Sequence, residues 1–172
     1  MTTANSSGLA VTMPNDTDIV MTRQFNAPRE LVFAAWTDPR HVPQWLLGPA
    51  GWTMPVCEID LRPGGRWHWV WRKADGCEME MSGTYREVKP PERLVSTERW
   101  AGDWPETTNT LVLTEKDGKT TAAMTVRYPS QEARDAAFKT GMAGGVEVSF
   151  NRLDDYLKKM RTEKNTEKNN VR

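Results

Sequence analysis

The sequence predicts an α+β fold in which a curved antiparallel sheet of six or seven strands closes against a long C-terminal helix, with two short helices after the first strand. Three observations carry this. Six strand-like runs succeed one another between residues 54 and 128 with turn signals and no helical segment between them, so they must be mostly antiparallel neighbours. A late stretch places Val146, Phe150, Leu153, Leu157 and Met160 at steps of four and three, the apolar stripe of a helix that covers a sheet. Eight tryptophans and nine methionines in 172 residues supply the side chains of an adaptable apolar wall between the two.

Each element has its own signal. Ile19, Met21, Arg23 and Phe25 alternate with period two and stop at Asn26-Ala27-Pro28, a strand running into a helix with proline at its first turn. Leu31, Val32, Ala35 and Trp36 then share one helical face, and Asp38-Pro39 restarts a second short helix with Asp38 as its N-cap. That helix ends at Trp45-Leu46-Leu47-Gly48-Pro49. The six strand runs are 54–61, 66–71, 78–88, 94–100, 108–114 and 121–128. They are joined through Pro63-Gly64-Gly65, Asp75-Gly76, Pro90-Pro91 and Asp117-Gly118, which is hairpin chemistry. After Pro129 a helix opens with Ser130 as N-cap and Glu132 in its first turn; Gly141, Gly144 and Gly145 break it before the last helix. The polar, aperiodic residues 1–16 and 161–172 are expected to be disordered tails on a single domain over 17–160.

Composition excludes several functions. Lysine plus arginine and aspartate plus glutamate both total 23, so no net field gathers nucleic acid. No basic segment followed by an apolar one opens the chain and no run of about 18 apolar residues exists, so a cytoplasmic location without a membrane span is expected. Cys57 and Cys77 are then free thiols packed in strands. His41 and His68 show no ligand spacing, so no metal site and no cofactor are expected.

The most informative segment is Arg66-Trp67-His68-Trp69-Val70-Trp71-Arg72. Side chains alternate across a sheet, so Trp67, Trp69 and Trp71 share one face. Met79, Met81 and Tyr85 fall on the same face of the next strand, with Met124 and Tyr128 across the sheet and Trp100 nearer the rim. Trp45 from the second short helix and Met142, Val146 and Phe150 from the last one complete the expected ligand-contacting set. Several indoles, each with an N–H to satisfy, facing one helix point to a partly open amphipathic cavity rather than to solid packing. No serine or cysteine sits in a nucleophile elbow and no glycine-rich phosphate loop precedes a helix, so no catalytic residue is assigned. Glu58, Asp60, Glu78 and Glu80 are expected on the solvated face.

Four stretches carry a family likeness: WLLGP (45–49), DLRPGGRW (60–67), GTYREVKPPERLVSTERW (83–100) and YPSQEARDAAFKTGMAGGVEVSFNRL (128–153). Together they resemble bacterial members of the activator of heat-shock-chaperone ATPase homologue family, within the steroidogenic-acute-regulatory-related lipid-transfer (START)-like superfamily, over about residues 18–160. The resemblance implies a helix-grip fold with a hydrophobic cavity. Relatives often carry an aromatic residue or methionine where Val146 stands, which implies a larger cavity at that end. Fold is implied better than function, because related cavities serve binding, transport, sequestration, cyclisation and chaperone contacts. The leading expectation is binding of a small hydrophobic or aromatic molecule by a monomer or homodimer. A second, resting on the family name, is stimulation of the ninety-kilodalton heat-shock chaperone (heat shock protein 90) ATPase. A third is an enzyme that uses a buried Glu or Tyr on a cavity-bound substrate.

Overall fold

A computed structural model describes residues 3–4 and 8–171; what was expected of 1–2, 5–7 and 172 lies outside the described residues. Among the described residues nine strands form one antiparallel sheet: β1 (Thr3–Ala4), β2 (Ala10–Thr12), β3 (Asp18–Phe25), β4 (Trp52–Ile59), β5 (Arg66–Lys73), β6 (Glu78–Lys89), β7 (Arg93–Trp100), β8 (Thr107–Lys116) and β9 (Lys119–Arg127). Their order across the sheet is β1-β2-β3-β9-β8-β7-β6-β5-β4. The six expected runs form the meander β4 to β9. The chain's first long strand pairs with its last, Ile19 opposite Val126 and Met21 opposite Met124. Helices α1 (Arg29–Thr37) and α2 (Val42–Trp45) follow β3, and α3 (Gln131–Lys139) and α4 (Met142–Asn170) follow β9. This is the helix-grip arrangement, with α4 lying against the sheet.

Three expectations are corrected. Residues 8–16 are no loose tail: β2 pairs with β3, Val11 opposite Met21, because Leu9 and Val11, two residues apart and therefore on one face, are both buried. The stretch 161–170 continues α4. All ten of its side chains are exposed, so the helix needs no apolar stripe there, and Arg161 still donates to the Asn26 carbonyl at 2.8 Å. Asp38 does not cap α2, whose preceding residue is His41; its carboxylate accepts instead from the Arg40 backbone N–H (2.8 Å) and guanidinium (2.6 Å). The Arg40 guanidinium beside it holds the Asp38 carboxyl at about 2.

Other local signals translate directly. Ser130 caps α3, its hydroxyl accepting from Ala133 N at 3.1 Å. Gly141, at φ 82°, takes the left-handed turn that lets α4 start in a new direction. Pro55 is tolerated within β4 because β4 is an edge strand whose register shifts between Thr53 and Val56. Among the described residues no helix is long and apolar enough to cross a membrane.

Phe150 is the centre of the core. Its ring meets Phe25 at 5.6 Å and Trp36 at 5.4 Å, edge to face, the favoured geometry for aromatic pairs. Leu153, Leu157 and Met160 continue the buried stripe along α4. Asp154 is half-buried and pairs at 3.3 Å with Arg23 of β3, whose side chain is itself buried.

Candidate functional site

Between the concave face of the sheet and α4 lies a cavity of about 540 Å³. Its floor is β5. Trp67, Trp69 and Trp71 are all buried on one face, with ring centroids 4.4 Å apart for the first pair and 6.0 Å for the second. Trp100 extends the row, stacked on Trp71 at 5.5 Å. Strand pairing sets the next rank: Trp69 stands opposite Met81 and Trp71 opposite Met79. Trp67 stands opposite Gly83, where a Cβ would come 2.8 Å from the Trp67 ring and 1.9 Å from the Thr97 carbonyl oxygen. Only a glycine lets the indole lie against β6 there.

The roof is held by hydrogen bonds from the turn after α2. Arg152 of α4 donates to the carbonyls of Trp45 (3.0 Å) and Gly48 (3.1 Å). Ser149 accepts from Gly48 N at 2.9 Å, and Trp71 Nε1 donates to the Leu46 carbonyl at 2.7 Å. Leu46 and Leu47 are thereby fixed over the cavity. Met79 and Trp104, 39% and 41% exposed, mark its mouth.

Every side chain singled out from the sequence lines this space, though not in one way. Trp45 and Phe150 form a closed back wall: Trp45 is fully buried, and its Nε1 donates to the Ala35 carbonyl at 2.9 Å. Tyr85, Met124, Met142 and Val146 lie on the side walls. Trp67 and Trp69 leave their Nε1 atoms buried without a hydrogen-bond partner.

The sequence reading missed the polar corner. Ser96, Glu98 and Asn109 line the cavity on β7 and β8, close to Tyr128. Asn109 Nδ2 donates to Glu98 Oε2 at 3.1 Å and Trp100 Nε1 to Glu98 Oε1 at 3.3 Å. Burial pushes the Glu98 carboxyl above its ordinary range, against the pull of these two donors. Tyr128, whose hydroxyl rests on the Met142 sulfur at 3.3 Å, is raised to about 12 by burial and by the Glu98 charge. Burial likewise raises the Tyr85 phenol. The signal for Glu98 was present: it sits two residues before Trp100, so strand alternation puts both on the inner face.

The outer carboxylates are paired in solvent: Glu80 with His68 at 2.6 Å, Asp60 with Arg62 at 2.9 Å. His41 Nδ1 lies 2.7 Å from the Tyr156 hydroxyl, away from the cavity. Gly64 and Gly65 sit in the turn before β5, where their backbones exchange hydrogen bonds with Tyr85 at 2.8 Å. Cys57 is half-buried, with burial raising its thiol to about 11. Cys77 lies in the exposed turn before β6 rather than in a strand, because Asp75 accepts from its N–H at 2.9 Å. Among the described residues no group of His, Cys, Asp and Glu is placed to hold a metal ion.

A family model for "Activator of Hsp90 ATPase homolog 1-like protein" matches residues 26–158, most of the sheet, α1 to α3 and the part of α4 that roofs the cavity. The chain belongs to this family. Among solved structures, a protein from Rhodobacter sphaeroides is 33% identical, with a TM-score of 0.84 over 87% of this chain and 97% of that one. A protein from Mycobacterium smegmatis is 28% identical, with a TM-score of 0.77 over 86% and 94%. An AHSA1-like protein from Aeromonas hydrophila is 20% identical, with a TM-score of 0.66 over 80% and 93%, a likeness of fold. No curated protein matches the sequence. Within the Activator of Hsp90 ATPase homolog 1-like family, then, this chain combines the helix-grip fold with a tryptophan-floored cavity bearing one carboxyl.

Proposed function

We propose that this protein binds a small hydrophobic or aromatic molecule in the cavity beneath α4, as a carrier, sensor or sequestering protein. The observation that carries the reading is the row Trp67, Trp69, Trp71 and Trp100 forming one wall of a space of about 540 Å³. That volume lies in the range of small-molecule sites, and so does the character of the wall, mostly aromatic and aliphatic with a few convergent polar groups. Indole faces bind flat, apolar bodies without demanding a fixed hydrogen-bond pattern. Among the described residues no His or Cys lines the cavity to activate the hydroxyls of Ser96 and Ser149, and the Ser149 hydroxyl already accepts from Gly48 N. The lining therefore offers packing and a polar anchor rather than an activated nucleophile.

The test is a panel of fatty acids, sterols and aromatic metabolites, read by tryptophan emission and by thermal melting. A true ligand at a hundred times its Kd should stabilise the fold by about 2.7 kcal/mol and change the emission of the indole row. If every compound leaves both readouts unchanged, the reading is wrong.

A further inference from the structure

Among the described residues Glu98 is the one carboxyl that lines the cavity, and no Lys, Arg or His lines the space with it. Among the described residues no ion pair engages it. Arg99, next along β7, points to the other face and pairs with Glu106 at 3.7 Å. Around Glu98 stand Asn109 of the neighbouring strand β8, Trp100 two residues along β7 itself and the Tyr128 phenol just past β9, none of them a cation. Each carboxyl oxygen accepts a single bond, from Asn109 Nδ2 or from Trp100 Nε1. A carboxylate has about four acceptor sites, so two are left to whatever enters the cavity. The donor that would use them is next to stacked indole faces, Trp100 on Trp71, whose quadrupoles attract positive charge.

We propose that the cavity takes a hydrophobic organic cation, an amine whose N–H groups donate to Glu98 while its apolar body lies along Trp71 and Trp100. This rests on the ligand-binding reading of the same cavity and narrows it to one chemical class. A protonated amine supplies what the site lacks: a counter-charge for a carboxyl removed from water, and donors for its free lone pairs. A neutral hydrocarbon would leave that carboxyl without either, and an organic acid would set like charges together.

The experiment compares three probes of one body, naphthylethylamine, naphthylethanol and naphthylacetate, titrated calorimetrically into the full chain at pH 7.5 and into Glu98→Gln. The amine should bind about tenfold or more tighter than the alcohol, the scale of a hydrogen bond to a charged group, and the acid weakest. In Glu98→Gln the amine-to-alcohol preference should collapse towards unity. If the three probes bind the natural chain alike, or the acid binds best, the cation inference is overturned while ligand binding stands. If the preference survives in Glu98→Gln, Glu98 is not the anchor and the inference is equally overturned. If none of the three binds and the wider panel is also silent, the binding reading itself falls and takes this one with it. The natural-chain comparison is decisive even if the variant folds poorly.

Discussion

Replacing Trp45 and Trp69 separately by leucine distinguishes a wall that fronts open space from a packed core. Trp45 is fully buried, its ring meets Trp36 at 4.8 Å and Phe150 at 6.2 Å, and its N–H satisfies the Ala35 carbonyl. Trp45→Leu opens a void, forfeits two aromatic pairs and strands a buried carbonyl, so it should cost about 3–5 kcal/mol. Trp69 is also 91% covered by residue exposure, at 9%. It differs in two ways: one side fronts the cavity, and its Nε1 has no partner to lose. Trp69→Leu enlarges an existing space and removes the Trp67 and Trp71 contacts, for about 1–3 kcal/mol. Urea denaturation with linear extrapolation, at unchanged slope, measures both. Equal losses, or a larger loss at Trp69, would refute the division of the tryptophans into floor and back wall.

Further outcomes follow from the same packing and electrostatics. Leu153→Ala, a fully buried deletion on α4, should cost about 2–5 kcal/mol in the same assay; a loss under about 0.5 kcal/mol would mean the helix does not grip the sheet through this face. Gly83→Ala places a Cβ where the Thr97 carbonyl and Trp67 ring already are, so it should cost about 1–3 kcal/mol and shift the tryptophan emission, whereas an unchanged spectrum would argue against that close approach. The Arg127 hydrogen bonds hold the Asp18 carboxyl at about 2, below its ordinary 3.8. A depressed carboxyl stabilises above its unfolded pKa and loses that contribution as pH falls through the folded one, so stability should drop between about pH 4 and pH 2 and Asp18→Asn should flatten that window. Glu98 has the opposite sign. Its raised pKa makes the neutral form the better folded one, so stability should decline as pH rises from the ordinary carboxylate range through the folded pKa, and Glu98→Gln should remove the decline; a parallel pH profile in the variant would contradict the burial of this carboxyl.

Much of the fold could be read in the sequence because its signals are local and redundant. Hairpin dipeptides fixed the meander, and the alternation of indoles with His68 and Val70 fixed which face of β5 is buried, as its burial pattern bears out. Pairing of β3 with β9 was not legible, since strand partners a hundred residues apart leave no mark in local periodicity. Residues 10–12 were lost because a three-residue strand gives too short an alternation to stand out from its Ser, Thr, Asn and Gly surroundings. At the other end, the polar residues of 161–170 read as disorder, though a helix with every side chain exposed there has no reason to keep an apolar stripe. Glu98 was missed for a chemical reason. Charged residues on strands usually face water, and here Asn109 and the Trp100 indole provide the partners that let a carboxyl face inward.

The central claim is that the space beneath α4 is a binding cavity, and filling it is the most direct test. Val146 is half-buried on α4 and lines the cavity near its glycine-rich end, so Val146→Trp should place an indole into open space at little cost to stability. The measurement is the affinity of the natural chain and of this variant for the tightest compound found by tryptophan emission, taken alongside their urea midpoints. The natural chain should bind, and the variant should keep its midpoint while losing binding by about tenfold or more, the scale of displacing a well-packed aromatic body. A variant that folds normally and binds as well as the natural chain would contradict it.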